Sequence, residues 1–259
     1  MGGDVAEAAA AALVESWQHL EAAIPDAWSR AEPGAVAMVT GVAIPTLNGV
    51  WVASPEARAD VVADLLDQVA ATGLPHCLQA RPGMAEQLQD QAAARDMKPE
   101  DHVPLMVLED PTDIAAHSAT DALLIRELPP AEAPAHARLA AAGFEAPAEL
   151  FLQLMTPSVL AAPGVRCYLG EVEGEPVTTA MGLTLGSYVG IFNVATPPAY
   201  RRRGYGAAVT ARAVADGVAA GANWAWLQSS EAGYHVYARL GFQTTEDWRC
   251  WLAAAHPPG

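Results

Sequence analysis

The chain has 259 residues, of which 52% are hydrophobic and 17% charged, with a formal net charge of -16. That length holds one large domain or two small ones, and the composition is that of a globular chain. The acidity excludes the basic face by which a nucleic-acid binder meets phosphates; it suits solubility, or attraction of a cationic substrate such as an amine. Lys98 is the only lysine, so nearly all positive charge is arginine. Cys77, Cys167 and Cys250 are far apart and show no metal-ligand spacing, so reduced thiols in a cytoplasmic protein without a metal are expected. The acidic start Met1-Gly2-Gly3-Asp4 lacks the basic region of a signal peptide. No apolar run approaches the roughly 18 residues of a membrane span, so no membrane partner is expected.

The elements follow in chain order. Val5, Ala9, Leu13, Trp17 and Leu20 recur at helical spacing and predict a helix over 5–23. Strands are expected at 34–42 and 49–53. Ser54-Pro55-Glu56 reads as a helix start, with the helix running to Ala71 and stopping at Gly73. A strand at 74–79, a helix at 83–94 and a strand at 103–108 follow. Asn48-Gly49 is a turn signal, and Trp17, Trp28 and Trp51 read as core or interface. Residues 109–120, with Pro111, read as a linker.

A second series then begins. A strand is expected at 123–128, helices at 131–142 and 147–155, and strands at 165–172, 176–185 and 188–195. A helix at 204–220 ends at Gly221, followed by a strand at 224–228, a helix at 233–239 and a last strand at 243–253. This alternation predicts a mixed α/β (α+β) sandwich.

The informative stretch lies between the strand at 188–195 and the helix at 204–220. It runs Asn193-Val194-Ala195-Thr196-Pro197-Pro198-Ala199-Tyr200, then Arg201-Arg202-Arg203-Gly204-Tyr205-Gly206. Two glycines clear side chains where backbone must approach a ligand. Helix N-terminal amides attract anions, and adjacent arginines add charge-assisted bonds to phosphate oxygens. No Gly-Lys-Ser/Thr follows, which excludes a Walker loop, and the third glycine of a dinucleotide fingerprint is missing.

Arg-x-x-Gly-x-Gly after a strand resembles the coenzyme A loop of the GNAT superfamily of N-acetyltransferases. Downstream, Tyr237-Ala238-Arg239-Leu240-Gly241-Phe242 resembles that family's Tyr-x-x-x-Gly-Phe. The resemblance covers roughly 123–252. It implies a mixed, mostly antiparallel sheet flanked by helices, with acetyl-CoA as co-substrate. It implies that the backbone of Val194, Ala195 and Thr196 meets the pantetheine arm and thioester. The loop Arg201, Arg202, Arg203, Gly204, Tyr205 and Gly206 would hold the pyrophosphate. Ser230 stands where many relatives carry an asparagine that contacts the cofactor. Tyr237 matches the family's general acid, which protonates the departing thiolate. The general base is not readable; Glu231 and His235 lie nearby in sequence, and a water chain is the alternative.

The first half echoes the second. Ala53-Ser54-Pro55-Glu56-Ala57-Arg58 resembles Ala195 to Arg201 with one gap, and Leu78-Gln79-Ala80 resembles Leu227-Gln228-Ser229. Aligning Arg58 with Arg201 puts Val61 at Gly204 and Ala63 at Gly206, where side chains would fill the pyrophosphate space. Residues 1–118 are thus expected to be a degenerate GNAT-like domain or an α/β cap, and 119–259 the N-acetyltransferase domain. The expected function is acetyl transfer from acetyl-CoA to a small-molecule or peptide amine, by a monomer or homodimer. The alternatives are a non-catalytic acetyl-CoA sensor and an acyltransferase for longer acyl groups.

Overall fold

The structure, a computed structural model, describes residues 2–100, 103–117 and 122–255. In chain order the elements are α1 (Gly2–Glu21), β1 (Trp28–Glu32), β2 (Ala35–Val39), β3 (Asn48–Val52), α2 (Ala59–Ala70), β4 (His76–Ala80), α3 (Pro82–Ala94), β5 (Lys98–Pro99) and β6 (Val103–Leu108). Then come β7 (Leu124–Leu128), α4 (Ala133–Phe144), α5 (Ala148–Leu154), α6 (Pro157–Leu160), β8 (Val165–Val172), β9 (Glu175–Leu185), β10 (Tyr188–Ala195), α7 (Tyr205–Ala219), β11 (Trp224–Gln228), α8 (Glu231–Arg239) and β12 (Gln243–Ala253). Short 3-10 turns lie at Pro45–Leu47, Ile114–His117, Pro130–Glu132 and Pro198–Tyr200.

These elements form two compact units. The first draws on residues up to Leu105, with Gln228–Glu231 and the stretch from Thr244; the second comprises Met106–Leu227 and Ala232–Gln243. In the first unit the strand order is β1-β2-β3-β4-β12. β1/β2 and β2/β3 are antiparallel, β3/β4 is parallel across α2, and β4/β12 is antiparallel. α2 turns Val62, Leu65, Leu66 and Val69 onto Val50, Val52, Leu78 and Trp251. That spacing puts one apolar stripe on one face of the helix.

The second unit repeats the plan. Its order is β11-β10-β9-β8-β7, antiparallel throughout except for the parallel pair β10/β11 across α7. α7 packs Val209, Ala213 and Val214 against Val189, Ile191 and Leu227, and β6 adds Met106 and Leu108 to this core. The expected fold class is therefore borne out: a mixed, mostly antiparallel sheet flanked by helices.

Several local readings change. β1 was not foreseen because Trp-Ser-Arg-Ala-Glu lacks an apolar alternation and its middle residues are exposed. Helix α2 starts at Ala59 rather than at Pro55: the Ala57 amide bonds to the Ser54 carbonyl, closing a turn before the helix. Asn48 and Gly49 lie inside β3 instead of at a turn tip. The fully buried Asn48 amide braces residues 40–44 through Thr40, Gly41, Val42 and Ile44. A Cβ on Gly49 would lie 2.2 Å from the Cys77 carbonyl oxygen, so glycine here serves strand packing. Within the expected linker, Ile114–His117 form a 3-10 turn, with Ile114 in the second core. The domain boundary expected at 118/119 lies outside the described residues. The last strand, read from sequence with the second domain, pairs along Arg249–Ala253 with β4 of the first unit.

Candidate acyl-coenzyme A site

The two parallel pairs differ where a ligand would enter. In the first unit the β3/β4 ladder runs through Val52↔Ala80, and the Arg81 amide extends it by bonding Val52 O at 3.2 Å. In the second unit the β10/β11 ladder covers Tyr188↔Trp224 to Gly190↔Trp226 and stops, although β10 continues to Ala195. The strands splay from that point. On its other edge β10 carries an irregularity against β9 between Phe192 and Ala195, centred on Asn193 with φ 49°. A non-glycine residue in this region is strained, and such strain gathers at functional sites. The half-buried Val194 borders the core at the open end of the slot.

Beyond Ala195 the chain crosses Thr196 and Pro197, makes a 3-10 turn over Pro198–Tyr200, and reaches the arginines. Arg202 has φ 64° and Gly204, the N-cap of α7, has φ 83°. Both residues are left-handed. The Ala208 amide is the first to bond back, to Gly204 O at 3.0 Å. Among the described residues, the backbone amides of Arg202 through Ala207 have no acceptor. Unpaired amides at a helix N-terminus, with the helix dipole behind them, are an anion site. Gly206 faces the end of β10: a Cβ there would make ordinary contacts, 3.5 Å from Thr196 Oγ1 and 4.0 Å from Val194 Cγ1.

The three arginines divide the work. Arg202 and Arg203 are exposed and have no ion-pair partner among the described residues. Arg201 is occupied. Its Nε donates to Thr196 O at 3.1 Å, and its Nη2 donates to Gly143 O at 2.7 Å and to Glu145 Oε1 at 2.9 Å. It ties the loop to the C-terminal end of α4 and is not directed at a ligand. α4 comes this close because Gly143 has no side chain: a Cβ would lie 2.7 Å from Ala195 Cβ and 2.9 Å from the Thr196 amide nitrogen.

Tyr237, on α8, is half-buried against the same core that Val194 borders, with its ring 6.1 Å from Phe242. Burial pushes its phenol above the ordinary range, so the hydroxyl keeps its proton. His235 and Glu231, on the same helix, are exposed. Ser230 is exposed between β11 and α8, in the stretch Gln228–Glu231 that belongs to the first unit. A cavity of about 360 Å³ in the second unit is lined by Leu108, Asp113, Leu240 and Gly241 among others, and takes no lining from the loop. Among the described residues no cluster of His, Cys, Asp and Glu could hold a metal.

The first unit lacks the counterpart of each feature. The starts of the helices place Arg58 opposite Gly204 and Asp60 opposite Gly206 (204 − 58 = 206 − 60 = 146). This differs by three residues from the sequence alignment through Val61 and Ala63, because the connection is shorter: residues 53–58 against 196–204. Arg58, with φ −79°, pairs with Asp60 at 2.7 Å, so a carboxylate occupies the turn where the second unit offers bare amides. Arg81 seals the closed end, bonding Ala53 O at 3.0 Å and Glu246 at 2.6–3.0 Å.

Residues 131–242 match the model of the acetyltransferase (GNAT) family. A GCN5-related N-acetyltransferase from Kribbella flavida, 19% identical, covers 94% of this chain and 95% of its own at a TM-score of 0.70. A functionally unknown conserved protein from Staphylococcus epidermidis, 9% identical, covers 89% of this chain and 95% of its own at 0.63. A tandem GNAT protein from the clavulanic acid biosynthesis pathway, 14% identical, covers 90% of this chain and 85% of its own at 0.58. These likenesses extend across both units and are likenesses of fold. No curated protein matches the chain. No helix among the described residues is long and apolar enough to cross a membrane.

Proposed function

We propose that the protein is an N-acetyltransferase that moves the acetyl group of acetyl-CoA directly to an amine, small-molecule or peptide, through one site per chain in the second unit. The observation that carries this reading is the run of unpaired amides from Arg202 to Ala207 at the mouth of the β10/β11 splay. Those amides, with Arg202 and Arg203, hold the pyrophosphate. The backbone of Val194, Ala195 and Thr196 lines the pantetheine arm and polarises the acyl carbonyl. Bound acetyl-CoA supplies an activated thioester and a thiolate leaving group. Tyr237 delivers the proton that the leaving sulfur needs, from a phenol that burial keeps protonated. Gly204 and Tyr205 start the helix whose dipole completes the cradle, and Arg201 braces it. The first unit is a degenerate GNAT copy without a cofactor site, which its closed β3/β4 ladder and the Arg58–Asp60 pair support. The formal charge of -16 favours a cationic acceptor.

Thermal unfolding with saturating acetyl-CoA and with coenzyme A tests the reading, because a ligand bound only by the native state raises its stability. An upward shift with one equivalent bound per chain is expected; no shift would overturn the reading. Thiol release across a panel of amines then separates acetyl transfer from cofactor sensing, and propionyl- and butyryl-CoA test acyl length.

A further inference from the structure

Past Gly190 the end of β10 has lost its partner on the β11 edge, and the irregularity at Asn193 weakens its hold on β9. The β9 ladder resumes at Ala195↔Thr179 and ends there, so side chains hold the turn from β10 into the loop. Arg201 holds it through Thr196 O, and Thr178 holds it from β9. Thr178, on β9, is fully buried. Its Oγ1 donates to Ala195 O at 3.0 Å and lies 2.9 Å from Thr196 Oγ1. A hydroxyl has one proton, and that of Thr178 is spent on the carbonyl. Thr196 therefore donates into Thr178, giving the chain Thr196 Oγ1–H to Thr178 Oγ1–H to Ala195 O. Linked hydroxyls of this kind strengthen one another in a buried setting. The Thr196 end of the chain sits below the first turn of α7, 3.5 Å from the place a Gly206 Cβ would take.

We propose that Thr178 is a positioning residue for acyl-CoA: its hydroxyl presets the Ala195–Thr196 backbone at the slot, so that binding does not have to order it. The proposal rests on the acyl-CoA reading of the slot. It goes beyond that reading by assigning cofactor affinity to a side chain outside the loop and outside the family's two sequence landmarks. Preordering lowers the entropy lost on binding. The loss of Thr178 then falls on affinity for the cofactor and spares the acid on α8.

Calorimetric titration with coenzyme A tests this without knowledge of the acceptor. The near-isosteric Thr178→Val removes both hydrogen bonds and should weaken binding by at least about tenfold. Thr178→Ser, which keeps the hydroxyl, should bind within about twofold of wild type by the same measure. Thr196→Val removes the same link from a half-buried position and keeps the test open if Thr178→Val does not fold. Its loss should be smaller than that of Thr178→Val, because the Thr178–Ala195 bond survives, and the double variant should be no weaker than Thr178→Val alone, the mark of a shared interaction. Binding by Thr178→Val equal to wild type, or by Thr178→Ser as weak as Thr178→Val, overturns the proposal while wild-type binding leaves the acyl-CoA reading standing. A wild type that does not bind coenzyme A overturns both.

Discussion

Tyr237 is half-buried and His136 fully buried, and burial has opposite consequences for their titration. In Tyr237 it raises the phenol and preserves a proton for transfer. Tyr237→Phe is expected to lower turnover on the true acceptor about a hundredfold, the usual size of one general-acid contribution, with coenzyme A affinity nearly unchanged. Steady-state kinetics beside calorimetry checks the split, and unchanged turnover would remove Tyr237 from the mechanism. His136, on α4, is fully buried, with Nδ1 2.6 Å from Thr179 Oγ1 and Nε2 without a partner. Thr179 gives its own proton to Tyr168 O at 2.7 Å, so His136 donates through Nδ1 and is neutral. Burial pushes its pKa down to about 4. The unfolded chain, with an ordinary histidine pKa near 6.5, binds more protons between about pH 6.5 and 4, so stability falls as pH falls through that window. Complete passage costs roughly 3 kcal/mol. Denaturant midpoints measured from pH 7 to pH 4 should decline, and His136→Gln should flatten the decline; parallel curves would show that other groups control it.

The loop between β10 and α7 is where sequence and structure agree most closely. Glycine and arginine announce their backbone and charge requirements locally, and so do Tyr237 and Gly241-Phe242. Gly204→Val is expected to abolish the acetyl-CoA thermal shift, since φ 83° is strained for a β-branched residue and the cradle depends on that turn. Ala63→Gly, in the first unit, should leave the shift intact; a shift that survives in Gly204→Val would dissociate the loop from the cofactor. What the sequence hid depends on partners distant along the chain. The splay is a place where a ladder ends, and no residue type marks it. Arg201 looks like its two neighbours until α4 supplies Glu145 and the Gly143 carbonyl. Ser54-Pro55-Glu56 has the residue types of a helix cap, yet Gly34 O accepts the Ala53 and Ser54 amides and holds the segment outside α2. The offset between the two halves was misjudged for the same reason: a connection three residues shorter cannot be aligned from composition.

At the scale of the molecule, the first unit depends on the far end of the chain. β12 supplies Trp251 and Ala253 to its core, and Glu246, the carboxylate that meets the largely buried Arg81. Removing residues 244–259 should cost well over the roughly 3–5 kcal/mol that loss of one buried tryptophan costs. Limited proteolysis should then cut within the first 105 residues. A truncated chain as resistant as the full one would show that β12 is dispensable there.

β4 and β12 are separated by 162 intervening residues (243 − 80 − 1). During synthesis the unit made first therefore cannot close its sheet until a strand made 162 residues later has left the ribosome. For that interval β4 presents an unpaired edge to every other nascent chain nearby. The seal at Arg81 and Glu246 does more than block a cofactor slot: it records that translation of β12 has finished, and it forms only then.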